Sequence, residues 1–323
     1  MDLSLALQNL MSPSVLFFAL GVAAALARSD LAIPQNIAKG MSLYLMLAIG
    51  YKGGVAAIQN GLGLDLFLII VTATILSLTI PLIAYFFLNT TTKLSQIDKA
   101  AIAAHYGSIS IVTFIAATST LEQLGIEYPG IMVAAAAAME APAIAVALFL
   151  AYRGTKKKQS GSGDNLWREV LLNASIVLLI GAFLIGMITG EKGYSDIAPF
   201  ITDPFKGILC LFLLDMGLVA GRELRQVRST LTPALLAFGI YMPIVGGFVG
   251  TLAAQIIGLD HGGTVLLAML SASASYIAVP AAMRVALPEA KPSIYLTLSL
   301  GITFPFNLTI GIPIFVGVAN FIV

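Results

Sequence analysis

The chain has 323 residues, of which 59% are hydrophobic and 10% charged, with net charge +1 and mean hydropathy +0.96. Soluble domains carry about 25% charged residues, and a water-soluble protein of this size has no way to hide so much apolar surface, so a bilayer is the expected solvent. The charge balance gives no pointer to nucleic acid, and no such partner is expected. The single cysteine, Cys210, excludes an intramolecular disulfide and a cysteine metal cluster.

A membrane-crossing helix needs about 20 mostly apolar residues. Ten such spans are predicted, in chain order: Pro13–Ala32, Ile37–Ile58, Leu62–Leu88, Lys99–Leu121, Tyr128–Tyr152, Leu166–Thr189, Ile201–Gly221, Leu231–Leu259, Gly262–Leu287 and Pro292–Phe321. The N-terminus, Met1-Asp2-Leu3-Ser4, lacks a basic leader region, so the first span is expected to stay as an anchor. Arg153–Asn165 reads as a linker, with Lys156-Lys157-Lys158 and Ser160-Gly161-Ser162-Gly163. The expected units are a first five-helix repeat over 1–152, a linker over 153–165 and a second five-helix repeat over 166–323.

The halves are related. Lys39-Gly40, Leu47, Gly50, Gly54 and Gln59 recur 167 positions later as Lys206-Gly207, Leu214, Gly217, Gly221 and Gln226. Over windows of 21 residues that gives six identities, where about one or two would arise by chance. The glycines are expected to let helices approach closely. With the N-terminus placed outside, fourteen lysines and arginines fall in cytoplasmic loops and three, Lys52, Lys192 and Lys206, outside. That bias sets the orientation: both termini external, the linker cytoplasmic, the membrane that of the cell. Five spans is an odd number, so the second half enters from the opposite side. The duplication becomes an inverted repeat, an architecture that suits alternating access.

The fourth span of each half is unusual. One holds Tyr106-Gly107-Ser108-Ile109-Ser110-Ile111-Val112-Thr113, the other Ser271-Ala272-Ser273-Ala274-Ser275-Tyr276-Ile277-Ala278-Val279-Pro280. Hydroxyls at mid-membrane depth, with Pro280 and the weaker breaker Gly107, predict broken helices in spans four and nine. Helix N-termini at such breaks attract an anion, while freed carbonyls and hydroxyls hold Na⁺. The competing reading is serines bonded back to their own carbonyls or joining helices. In the fifth spans Glu140-Ala141-Pro142 stands opposite Phe304-Pro305-Phe306-Asn307. An acid at that depth is a functional candidate, and Glu140 reads as a cation ligand, a proton carrier or a protonated structural acid. Asp215 breaks the symmetry and reads as a helix contact. His105 reads as a structural histidine with proton coupling as the alternative, Asp260-His261 as a loop, and Arg222, Arg225 and Arg228 as topology and headgroup contacts.

No G-x-S-x-G, H-E-x-x-H, P-loop or dinucleotide fingerprint is present, so no enzyme is expected, and the missing P-loop argues against a self-contained ATP-driven pump. The chain resembles the SbtA-type sodium-dependent bicarbonate transporters along nearly its whole length. The likeness is densest at Ile49-Gly50-Tyr51-Lys52-Gly53-Gly54, Ser119-Thr120-Leu121-Glu122, Met139-Glu140-Ala141-Pro142-Ala143, Arg284 to Pro292-Ser293-Ile294-Tyr295, and Gly311-Ile312-Pro313-Ile314-Phe315. The resemblance implies ten spans in a 5+5 inverted repeat, a homotrimer, and an elevator motion of a core against a gate, with both repeated blocks in scaffold-like spans two and seven, away from the site. It also implies a PII-like cytoplasmic regulator of the kind cyanobacterial relatives have. The family's Ser-Gly-Ser-Thr appears here as Ser110-Ile111-Val112-Thr113, and its second-half motif keeps Ser273, Ser275 and Pro280 but has Tyr276 in place of an aspartate. Its span-five aspartate appears as Glu140.

The expectation is therefore an all-α integral membrane symporter for a small inorganic anion, bicarbonate first, with Na⁺ as coupling ion and no other cofactor. Ser108, Ser110, Thr113, Ser273, Ser275, Tyr276, Glu140 and Asn307 are the expected substrate and ion residues, with Ser110, Thr113, Ser273 and Ser275 as the Na⁺ ligands. A different small carboxylate, H⁺ coupling, or a transport-inactive receptor or scaffold are the alternatives.

Overall fold

The computed structural model describes residues 11–60, 63–140, 142–153 and 174–323. The linker beyond Arg153, with Lys156 to Lys158, lies outside the described residues, as do Arg168 and Met1 to Ser4. Every regular element among the described residues is helical. The helices are α1 (Pro13–Leu26), α2 (Gln35–Asn60), α3 (Leu64–Thr91), α4 (Gln96–Gly107), α5 (Ile111–Leu124), α6 (Met132–Ala138), α7 (Pro142–Tyr152), α8 (Ala174–Ile201), α9 (Phe205–Thr230), α10 (Pro233–Ile256), α11 (His261–Ala272) and α12 (Ala278–Ala286). The last rod, α13, is Pro292–Ile322.

Seven helical stretches among the described residues are long and apolar enough to cross a membrane, and α1 and α11 are shorter apolar helices. The helix ends follow local chemistry. Ser12 caps α1 and Thr232 caps α10, each followed by proline in the first turn, where the missing N–H is not needed. Ser95 and Asp260 cap α4 and α11 by accepting from Asp98 N and Gly263 N at 3.1 and 2.7 Å.

The helices form two groups. In the first, α2 packs along α8 and α1 along α9, with α2 and α9 also in contact. The repeated glycines make these pairs possible. A Cβ on Gly50 would sit 2.6 Å from the Leu179 carbonyl, and one on Gly54 would overlap the Phe183 carbonyl. A Cβ on Gly217 would overlap the Phe18 carbonyl, and one on Gly221 would stand 2.9 Å from that of Val22. The second group joins α3 to α4 and α7, α10 to α11, and α11 to both α5 and α13. Its centre is the stretch Gln96–Leu124, buried throughout its apolar window, whereas α3 and α8 present most of their surface outward. Phe67, Ile75, Phe86, Ile185 and Ile188 lie on those outward faces, where acyl chains are as apolar as the side chains.

Three boundaries differ from the sequence reading. The sixth span does not end in a loop after Thr189: Gly190 turns with φ +57°, and helix resumes to Ile201. Only glycine takes that backbone without strain. The seventh span runs on past Gly221 to Thr230, because the charged residues that end an apolar run do not end a helix. Pro280 lies in the first turn of α12 rather than at the break itself.

Candidate functional site at the helix crossing

The chain leaves helical geometry between α4 and α5 and again between α11 and α12, and the two irregular segments are joined. Ser110 N donates to Ser273 Oγ at 2.9 Å, and Ser275 N donates to the His105 carbonyl at 2.7 Å. Each segment thus supplies what the other's backbone lacks. Ser110 Oγ in turn accepts from Thr113 N at 3.2 Å and caps α5, while Ser275 Oγ accepts from Val279 N at 3.4 Å in the first turn of α12. Ser273 Oγ also donates to the Leu270 carbonyl at 2.8 Å. Gly107 earns its place by packing: a Cβ there would overlap the Pro81 ring.

The last rod, α13, feeds the same point. α13 widens into looser, π-helical turns at Thr297–Thr303 and Asn307–Gly311, on either side of Pro305 and just before Pro313. Such widening lets a helix carry prolines and is frequent at functional sites. Asn307 Nδ2 donates to the Ala272 carbonyl at 2.8 Å, closing the end of α11. Thr303 Oγ1 donates to the Gly239 carbonyl and pairs with the Tyr106 hydroxyl at 2.6 Å. The fifth span is also interrupted, between α6 and α7. Ser77 of α3 spans that gap: its Oγ donates to the Met139 carbonyl at 2.7 Å and accepts from Ala143 N at 3.1 Å.

A cavity of about 20 Å³ lies beside the crossing, room for about one water molecule. Ser110, Glu140, Ser275 and Tyr276 line it, with Ile109, Ile111 and Ile277, and Met46 and Leu179 close it from the first helix group. The N-terminal turn of α5 and the segment leading into α12 reach this cavity, and among the described residues no lysine or arginine lines it. The free N–H groups and dipole at a helix N-terminus carry about half a positive charge, so the positive potential there comes from backbone. Among the described residues Glu140 has no ion-pair partner. Tyr276 stands next to Ser110 without closing a hydrogen bond of good geometry. Several buried oxygens have no partner: Ser108 Oγ, Thr113 Oγ1, Ser271 Oγ and Asn307 Oδ1. All lie within three residues of the bonds that join the two segments, or are bonded to α11 itself.

All eight residues singled out from the sequence are buried. Four of them, Ser110, Glu140, Ser275 and Tyr276, share the cavity. Ser273 joins the two irregular segments, and Asn307 closes α11. Ser108 and Thr113 keep free hydroxyls beside them. The expectation that the repeated blocks lie away from the site needs correcting for the first block, while no described residue of the second lines the cavity. Met46 falls inside the first block, and Leu179, which lines the cavity, is the residue whose carbonyl Gly50 accommodates. Sequence reading missed Met46, Leu179 and Ser77. Ser77 stands alone in an apolar run, and the groups it binds are 62 and 66 positions away. His105 stacks on Tyr295 and pairs its Nδ1 with the Ala101 carbonyl at 2.6 Å. Asp215 is buried on α9, in the first helix group.

The crossed segments thus bring two helix starts and several unpaired oxygens to one buried place. The chain matches the family model of the Na⁺-dependent bicarbonate transporter superfamily over residues 13–320, and it belongs to that superfamily. A search of curated protein sequences gave no match.

Proposed function

We propose that the chain is a symporter that moves a small inorganic anion, bicarbonate in the first place, together with Na⁺. The observation that carries this reading is the mutual bonding of the two irregular segments, Ser110 N to Ser273 Oγ and Ser275 N to the His105 carbonyl. It brings helix starts and unpartnered hydroxyls to one buried place. The anion would take the backbone potential of α5 and α12, supported by Ser110, Ser275 and Tyr276. Na⁺, a hard cation that takes oxygen ligands, would take the hydroxyls of Ser108, Thr113 and the neighbouring serines, with Asn307 Oδ1 and Glu140 in support. Superfamily membership supports the solute and the coupling ion.

The 5+5 inverted repeat belongs to the same proposal. Under the repeat, span one maps to six and span two to seven. The pairing of α2 with α8 and of α1 with α9 is then one contact seen twice. The four paired helices would be the gate and the crossing group the moving core of an elevator. The cavity suits that division, because both groups line it and it is too small to admit bicarbonate until they part. The decisive measurement is uptake of labelled bicarbonate into proteoliposomes with and without an inward Na⁺ gradient. Uptake that ignores Na⁺ removal overturns the coupling, and absence of uptake overturns the substrate.

One observation favours a second reading. The cavity wall is mostly apolar, with Ile109, Ile111, Ile277, Met46 and Leu179, and Glu140 is its one acid. A short carboxylate moved with H⁺ through Glu140 would also suit that wall.

A further inference from the structure

A second cavity, of about 170 Å³, lies farther along the same cleft between the two helix groups. On α2 the lining continues from Met46 at the inner cavity to Ile49, Lys52, Gly53 and Ala56. On α5 it continues from Ile111 to Phe114, Thr118 and Glu122, one helix face at spacings of three and four. At 1.5 Å per residue, Thr118 lies about 10 Å along α5 from Ile111. The buried ring of Phe114 stands between the two cavities in this sequence of lining residues. The floor is a seam of two glycines. A Cβ on Gly53 would come 2.9 Å from the Gly130 carbonyl, and one on Gly130 2.8 Å from that of Gly53.

Lys52 is the cation of this chamber. Its Nζ lies 5.4 Å from the centre of the Phe205 ring, and it makes no ion pair among the described residues. The carboxylate in the same chamber is already engaged, since Tyr128 OH donates to Glu122 Oε1 at 3.2 Å. The fold itself does not call for a lysine here. The flanking Gly50 and Gly54 recur as Gly217 and Gly221, but the residue 167 positions after Lys52 is Val219.

We propose that this chamber is a second anion site. Lys52 captures a small oxyanion of the bicarbonate class at the mouth of the cleft and passes it toward the crossing when the groups part. The proposal deepens the transport reading and rests on it. A cation over an aromatic face in a partly enclosed, low-dielectric mouth raises the local concentration of anions.

The test uses the full-length chain in proteoliposomes and measures initial bicarbonate uptake against concentration. Lys52→Gln should raise the half-saturating concentration about 3- to 10-fold with the maximal rate within about twofold, as loss of one steering charge does. Lys52→Arg should stay near wild type. Glu122→Gln, which removes the opposing charge from the chamber, should lower the half-saturating concentration. Unchanged values in both neutral variants, or shifts of the same sign, overturn the proposal, because a merely structural role would not move them in opposite directions. An independent measurement is the modification of Lys52 in purified protein by an amine-reactive reagent, read by mass spectrometry. Sodium bicarbonate should slow it relative to bulky sodium gluconate at equal ionic strength, and equal rates overturn the site. If the wild type transports no anion yet bicarbonate protects Lys52, the transport reading falls and the site stands. If it transports and neither the variants nor the protection respond, the site falls alone.

Discussion

The two helix groups bring distant parts of the chain together by opposite means. Where α2 meets α8 and α1 meets α9, side chains have been removed: Gly50, Gly54, Gly217 and Gly221 set helix backbones against carbonyls. Where the α4–α5 segment meets the α11–α12 segment, polar side chains have been added, and the Ser273 hydroxyl bonds across the gap. Lipid supplies no hydrophobic force between helices, so close packing or hydrogen bonds must hold them. Close packing leaves nothing for a ligand to bind. A hydroxyl that bonds one neighbour still has a lone pair or a proton to offer, and here several have no partner at all. The first group is therefore suited to holding shape, and the second to holding solute.

The largest expected effect tests the glycine contacts. Gly54→Leu drives a side chain into the Phe183 carbonyl, and overpacking against backbone in a helix interface should cost about 3 kcal/mol or more. Gly40 is the control, since a Cβ there meets nothing within 4 Å. In detergent-purified protein, Gly54→Leu should lose folded yield or melt far below wild type, while Gly40→Leu melts with it. Equal melting of the two variants would refute the close approach.

A smaller effect tests the crossing. Ser273→Ala strips the partner from Ser110 N, while the Leu270 carbonyl still accepts from the backbone N of residue 273 at 3.3 Å, and one unpaired buried group costs about 1–3 kcal/mol. Ser271 is the contrast, because its buried hydroxyl has no partner to lose and faces Gly250 of α10 rather than the inner cavity. Ser273→Ala should lower the melting temperature by several degrees and abolish uptake, and Ser271→Ala should do neither. The comparison breaks down if the two alanines behave alike.

The sequence carried more of the fold than of the site, for physical reasons. Hydropathy locates spans because the bilayer sets their length, and the repeated glycines marked the close pairs because nothing larger fits there. The clusters at Ser108–Thr113 and Ser271–Tyr276 were legible because serines in lipid need a reason. The pairing of Ser110 with Ser273 was not, since it joins residues 163 positions apart. Ser77 and the cavity wall of Met46 and Leu179 were invisible for the same reason: an isolated serine or an ordinary apolar residue takes its role from what faces it. The helical run from Phe205 to Thr230 was cut short because Arg222 and Arg225 end the apolar stretch, and charge sets membrane depth rather than helix length.

The last comparison lies at the inner cavity, between its hydroxyls and Glu140. Glu140 shares the cavity with Ser110 and Ser275, is buried, and has no cation opposite it among the described residues. Glu140→Gln keeps shape and removes charge, so stability should move by less than about 1 kcal/mol, because a buried carboxylate without a cation is not itself stabilising. Transport separates the roles that the acid can have. If it supports Na⁺, the Na⁺ concentration for half-maximal uptake should rise about tenfold, equivalent to about 1.4 kcal/mol, with the pH profile unchanged. A lost pH dependence with the Na⁺ requirement intact would assign H⁺ coupling to Glu140 instead. Uptake unchanged in both respects would leave the cation to the hydroxyls and Asn307, and the division of labour at the crossing would then lie among neutral oxygens alone.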